Sequence, residues 1–165
     1  MRATEMTTAN PVPNLGDVVR RFVAVIDGDL AGLELLRELR VALADMYAAG
    51  PRLPELPSMC PPEGHVEPVT ESKQAALVAS VESRLPREMY WSGLLPLTYL
   101  TVGDAGVKQF ADDLREIYFW LAPGFGRNHA TVGDWQSYWG MPTVRCLAVL
   151  HEVIGDLEMN LYGCS

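Results

Sequence analysis

Apolar residues recur at helical spacing along most of this chain. In Pro142–Leu157 the side chains of Val144, Leu147, Leu150, Val153, Ile154 and Leu157 cover more than half of a helical wheel. Arg145, Glu152 and Asp156 share its polar edge. So wide an apolar arc predicts a central helix enclosed by others. Gly103–Leu121 predicts a second long helix, with Val107, Phe110, Ala111, Leu114, Ile117, Tyr118 and Leu121 at i, i+3, i+4 and i+7.

Upstream, Asn14 offers an N-cap for a short helix carrying Val18, Val19, Phe22, Val23 and Ile26, which Asp27-Gly28 ends. Asp29 then caps a predicted helix over Leu30–Ala49, with Leu36, Leu39, Leu43, Met46 and Tyr47 on its core face. The short turn between them predicts a helical hairpin. Thr70 opens a further helix to about Arg84, with Leu77, Val78 and Val81 inward and Leu85-Pro86 as its stop. Thr131–Trp139 reads as a short helix that Gly140 and Pro142 separate from the last one.

Between these elements the pattern lapses. Pro51, Pro54, Pro57, Pro61, Pro62 and Pro68 fall in one stretch, where fixed φ and missing donors predict an extended crossover or lid. Glu88–Leu100 is aromatic and broken by Gly93 and Pro96. It reads as a packed turn between helices; the alternative, a short isolated strand, has no evident partner. The expected fold is all-α, a compact bundle of about five or six helices with a proline-rich crossover. Residues 1–13 are expected to form a mobile arm and residues 14–165 a single domain.

Composition adds limits. The 165 residues carry a formal charge of −8 at pH 7, which opposes binding to nucleic acid and to anionic membranes and favours basic partners. Cys60, Cys146 and Cys164 have no CxxC spacing, so a reducing compartment and a buried Cys146 are expected. Met1–Asn14 lacks the apolar core of a signal peptide and no run reaches the length of a membrane span, so a cytoplasmic location is expected.

Four blocks carry a resemblance. LADMYAAGPRLPELP (Leu43–Pro57), YWSGLLPL (Tyr90–Leu97), ADDLREIYFWL (Ala111–Leu121) and DWQSYWG (Asp134–Gly140) before the last helix resemble, in order and spacing, the bacterial DUF5063 domain family, a domain of unknown function. The resemblance spans about Phe22–Val153. It implies a mostly helical intracellular domain and no particular reaction. Family members often carry histidines around the Trp-Gly pair, as in HWGxH. Here those places hold Tyr138 and Pro142, so any chemistry resting on the histidines is not expected of this chain.

The candidate chemistry is sparse. Asp112 and Glu116 lie one turn apart with Asp113 beside them, and Glu34 and Glu38 form a similar pair. Such pairs can hold a divalent metal or transfer protons, while Lys108, Arg115 and Arg37 nearby also fit ordinary ion pairs. Phe119 and Trp120 flank the acidic face, as a surface for a basic protein would require, although cover by neighbouring helices fits them too. His151 reads as a core histidine. Trp91, Trp135 and Trp139 read as corner packing. Cys60, Glu63 and His65 lack a completing ligand, and there is no P-loop, nucleophile elbow or zinc spacing.

The expected function is a non-enzymatic protein-binding module, an acidic inhibitor of the immunity or antitoxin type whose partner is a basic protein such as a toxin. Asp112, Asp113, Glu116, Phe119 and Trp120 form its expected binding surface, with no cofactor, metal or catalytic residue. The alternative is an acid-helix, metal-dependent hydrolase acting on a phosphorylated small molecule. A homo-oligomer is compatible with either.

Overall fold

The repeated apolar spacing does fold into helices. The computed structural model describes residues 15–53, 70–90, 104–121, 133 and 135–161. These form α1 (Leu15–Asp27), α2 (Gly32–Ala49), α3 (Glu71–Arg84), α4 (Asp104–Leu121) and α5 (Gly140–Leu161), with no strand among the described residues. The fold is an all-α bundle. The Asn14 cap, most of the proline-rich stretch, Cys60, Glu63, His65, Trp91 and Cys164 lie outside the described residues.

α1 and α2 form the expected hairpin, bridged by Arg21 to Glu38 at 3.4 Å. α5 packs between α2 and α4, and α3 packs on α4. α5 runs antiparallel to both neighbours. Arg37 near the start of α2 reaches Glu158 near the end of α5, while Gly50 after α2 meets Trp135 before α5. On the other side Asp113 of α4 bonds Arg145, and Trp120 further along stacks on the earlier Tyr138. Phe22, Leu36, Leu39, Leu43, Met46, Phe110, Leu114, Ile117 and Leu150 meet in one continuous core.

Helix ends follow local chemistry. Thr70 caps α3, its hydroxyl accepting from the Lys73 amide at 3.3 Å. Asp29 does not cap α2; the helix starts two residues later, from Ala31, with no side-chain cap. The positive φ of Gly32, 61°, belongs to this entry, where the missing Cβ removes the usual penalty. At the end of α1, Arg84 from α3 closes the helix. Its guanidinium donates to the carbonyls of Ile26 (2.6 Å), Gly28 (2.9 Å), Leu30 (3.3 Å) and Val25 (3.4 Å). A cation bonded to orphan carbonyls also sits at the negative end of the helix dipole.

Gly140 and Pro142 do not separate two helices. Trp135–Trp139 forms a π-helical turn that runs directly into α5. Pro142 lacks the amide that an α-helix would direct to residue 138, and its ring needs room there; widening the preceding turn supplies that room. The buried Thr143 hydroxyl donates to the Trp139 carbonyl at 2.7 Å within this junction. The Trp135 indole then lies over two glycines. A Cβ on Gly50 would come within 2.4 Å of the ring, and one on Gly140 within 2.5 Å of the Trp135 carbonyl. Trp135 and Trp139 are buried edge-to-face at 4.6 Å, the corner packing expected of them.

α5 is sandwiched but not enclosed. Val149, Leu150, Val153 and Ile154 are fully buried and Cys146 with them, while Leu147 is only half-buried. Val144 and His151, both expected in the core, are exposed. Tyr47 is likewise exposed on α2 rather than core. The broad apolar arc was sufficient for burial on every side, but among the described helices only α2 and α4 pack against it strongly. Its remaining sector faces outward.

Candidate functional site

The acidic helix is organised around an internal ion pair. Asp113 is 4% exposed and receives two parallel bonds from Arg145, Nη2 to Oδ1 at 2.6 Å and Nε to Oδ2 at 2.9 Å. This corrects the expectation for both residues. Asp113 does not belong to an outward binding surface, and Arg145 does not lie on a solvated edge of α5. Each supplies the opposite charge that the other needs to leave water, in the fork geometry that guanidinium and carboxylate share.

Around this pair the other candidates divide. Arg115 donates to the Gln74 side chain of α3 at 2.6 Å and lies 3.8 Å from Asp112. Glu116 is half-buried, and its carboxyl is held above the ordinary 4.5, first by burial and then by the charge of Asp113; Arg145 and Arg115 pull it partly back. Asp112 keeps 41% of its side chain exposed. Trp120 is half-buried against the core, its indole stacked on Tyr138 with centroids 4.0 Å apart. Phe119, also half-buried, meets Tyr118 edge-on at 5.3 Å. Tyr118 in turn donates to the Asp27 carboxylate at 3.0 Å, and burial together with that carboxylate pushes its phenol up to about 12.

The two acidic pairs do not build a common centre. Glu38 faces Arg21 and Asp112 faces Arg115, while Glu34 is exposed at the start of α2. Among the described residues no group of three or more His, Cys, Asp or Glu side chains is placed to hold a metal ion. No described helix is long and apolar enough to cross a membrane.

A different surface stands out. The large hydrophobic side chains exposed among the described residues are Val41 and Tyr47 on α2 and Met141, Val144 and Met159 on α5. Exposure reaches 51% at Tyr47 and 61% at Met141. The Arg37–Glu158 bond links these antiparallel helices at one end. Arg37, Val41, Ala44 and Ala48 follow one another at steps of four, three and four along α2. Val144, Leu147, His151 and Glu158 likewise recur at helical spacing on α5. From Val41 to Ala48 and from Met141 to Ala148 the outward positions carry no charge. Asp45 and Arg145 turn sideways, to Arg21 and Asp113 respectively.

Sequence reasoning did not find this face, although one signal was available. Met141, Val144, Ala148, His151, Gly155 and Met159 share a row on α5, and an enclosed helix has no need of Met at both ends of one row. No family model matches the chain, and no curated protein or solved structure matches it.

Proposed function

We propose that this chain acts by binding another protein, without chemistry of its own, and that the partner is basic, in the manner of an immunity or antitoxin protein and its target. The observation that carries this reading is that, among the described residues, the large exposed hydrophobics all lie on the neighbouring helices α2 and α5. On a surface with a net charge of −8, an uncharged apolar face is what a protein partner covers. The acidity of the remainder steers a basic partner towards it.

The test is titration with the product of the adjacent coding sequence, at two salt concentrations. A complex whose association slows at the higher salt, and whose dissociation quickens on Met141→Glu, is the expected result. Absence of a complex at about 10 μM, where binding of this kind is ordinarily seen, overturns the reading. Glu116→Gln and Trp120→Ala enter the same titration. If those two weaken binding while Met141→Glu does not, the partner sits on α4 instead.

A further inference from the structure

The described methionines divide sharply by burial. Met46 on α2 and Met89 just after α3 are wholly buried, while Met141 is 61% and Met159 59% exposed. Cys146, the described cysteine, is buried too. The soft sulfur atoms that the described residues present to water are therefore two thioethers, both on α5.

Their surroundings differ. Met159 follows Glu158, which accepts from Arg37 of α2. Met141 stands instead at the start of α5, with Val144, 41% exposed, three residues on. The Trp135 indole lies against Gly140, the residue before Met141, and meets Tyr47 edge-on at 6.0 Å. One buried ring thus ties the exposed Tyr47 and the exposed Met141 to the same end of the bundle.

A thioether at this place is apolar and adaptable, whereas its sulfoxide carries a strong S=O dipole that water must solvate. The oxidation needs only a peroxide. One peroxide oxygen passes to Sδ, so that the O–O bond breaks and an S–O bond forms. Sulfur loses two electrons and the rest of the peroxide leaves as water. Two thiols reverse the step under a sulfoxide reductase, giving back the thioether with a disulfide and water. Hydrogen peroxide is uncharged, so the net charge of −8 does not hold it off.

Resting on the protein-binding reading, we propose that Met141 is a site of reversible oxidation by hydrogen peroxide, and that its sulfoxide releases the partner. Oxidation places a polar group where apolar atoms of the partner would lie, so the sulfoxide form should bind about tenfold more weakly. The fold keeps its stability, because the Met141 side chain already lies mostly in water.

The experiment treats the full chain with hydrogen peroxide, then with dithiothreitol, which restores cysteine sulfenic acids and disulfides and leaves sulfoxides in place. Peptide mass spectrometry should find Met141 and Met159 oxidised at least about tenfold faster than Met46 and Met89, which react only when the fold opens. Melting temperature should not move. Binding to the product of the adjacent coding sequence should weaken about tenfold and return after treatment with sulfoxide reductases. Met141→Leu, which keeps an apolar side chain without sulfur, should bind like the parent before and after peroxide. Met141→Gln should bind like the oxidised parent.

Oxidation of Met141 no faster than that of Met46 overturns the proposal. So does an oxidised chain that binds like the parent, which removes this inference and leaves the protein-binding reading standing. Loss of binding by Met141→Leu on peroxide treatment, as large as the parent's, assigns the effect to another residue and overturns it as well. A chain that binds nothing even when unoxidised overturns both readings together.

Discussion

The seam between α4 and α5 and the outer face of α2 and α5 reverse the usual placement of residue types. The seam holds charges inside, with Asp113 buried against Arg145. The face holds hydrophobics outside, with Met141 and Tyr47 more than half exposed. A buried ion pair satisfies itself and has little left for a partner, whereas an exposed apolar row is satisfied only when something covers it. The most acidic-looking part of the sequence is thus partly spent on the fold. The large exposed hydrophobics lie instead on two helices that looked like core.

Four comparisons test this contrast, taken from the largest expected effect downward. Leu150→Ala, on the buried side of α5, should lower the unfolding free energy by about 2–5 kcal/mol in chemical denaturation. Leu147→Ala, one turn earlier and half-buried, should lower it by about 1–2 kcal/mol. Equal losses at the two positions would mean that α5 is enclosed after all.

Asp113→Ala should cost about 3 kcal/mol, because it strands the Arg145 guanidinium in the seam. The same measurement on Asp113→Leu combined with Arg145→Met should recover most of that loss, since the pair is then replaced by packing. A double variant less stable than the single one would show that the charges do more than neutralise each other.

Glu116→Gln should alter the pH dependence of stability more than its size at any one pH. The Glu116 carboxyl binds its proton more tightly in the fold than in the unfolded chain, so its ionisation destabilises the fold as pH rises from about 4.5 through the raised value. The Gln variant should lack that fall in melting temperature. A parent whose stability instead rises through this window because of Glu116 would contradict the burial assigned to it.

Met141→Ser should shift stability by less than about 0.5 kcal/mol, the smallest effect of the four. The side chain touches little of the core, so its removal should be visible only in binding. A loss above about 2 kcal/mol would make Met141 a packing residue and take the apolar face apart.

Much of the bundle was legible from periodicity alone. Helix positions, the α1–α2 hairpin, the Thr70 cap and the buried rows of α2 and α4 all follow from local spacing and capping chemistry, which act within a few residues. The π-helical junction was not legible, because Gly140 and Pro142 look like a break until Trp135 and Thr143 are seen holding the turn together. Nor was the candidate site. A wheel of α4 by itself does not contain Tyr138, on which Trp120 stacks, or Arg145, which pairs with Asp113.

By itself, the sequence determined which stretches are helices, where most of them stop, and that the protein carries excess negative charge. Those properties depend on bonds and side chains a turn apart. Only the tertiary structure decided which sector of each apolar arc is buried, which aspartate is neutralised, and which hydrophobics stay in water. Val144, Leu147 and Leu150 sit a turn apart on one helix, yet they run from exposed to fully buried. Spacing makes a side chain eligible for the core, but burial requires a neighbouring helix on that side, and among the described helices α5 has its main neighbours in α2 and α4.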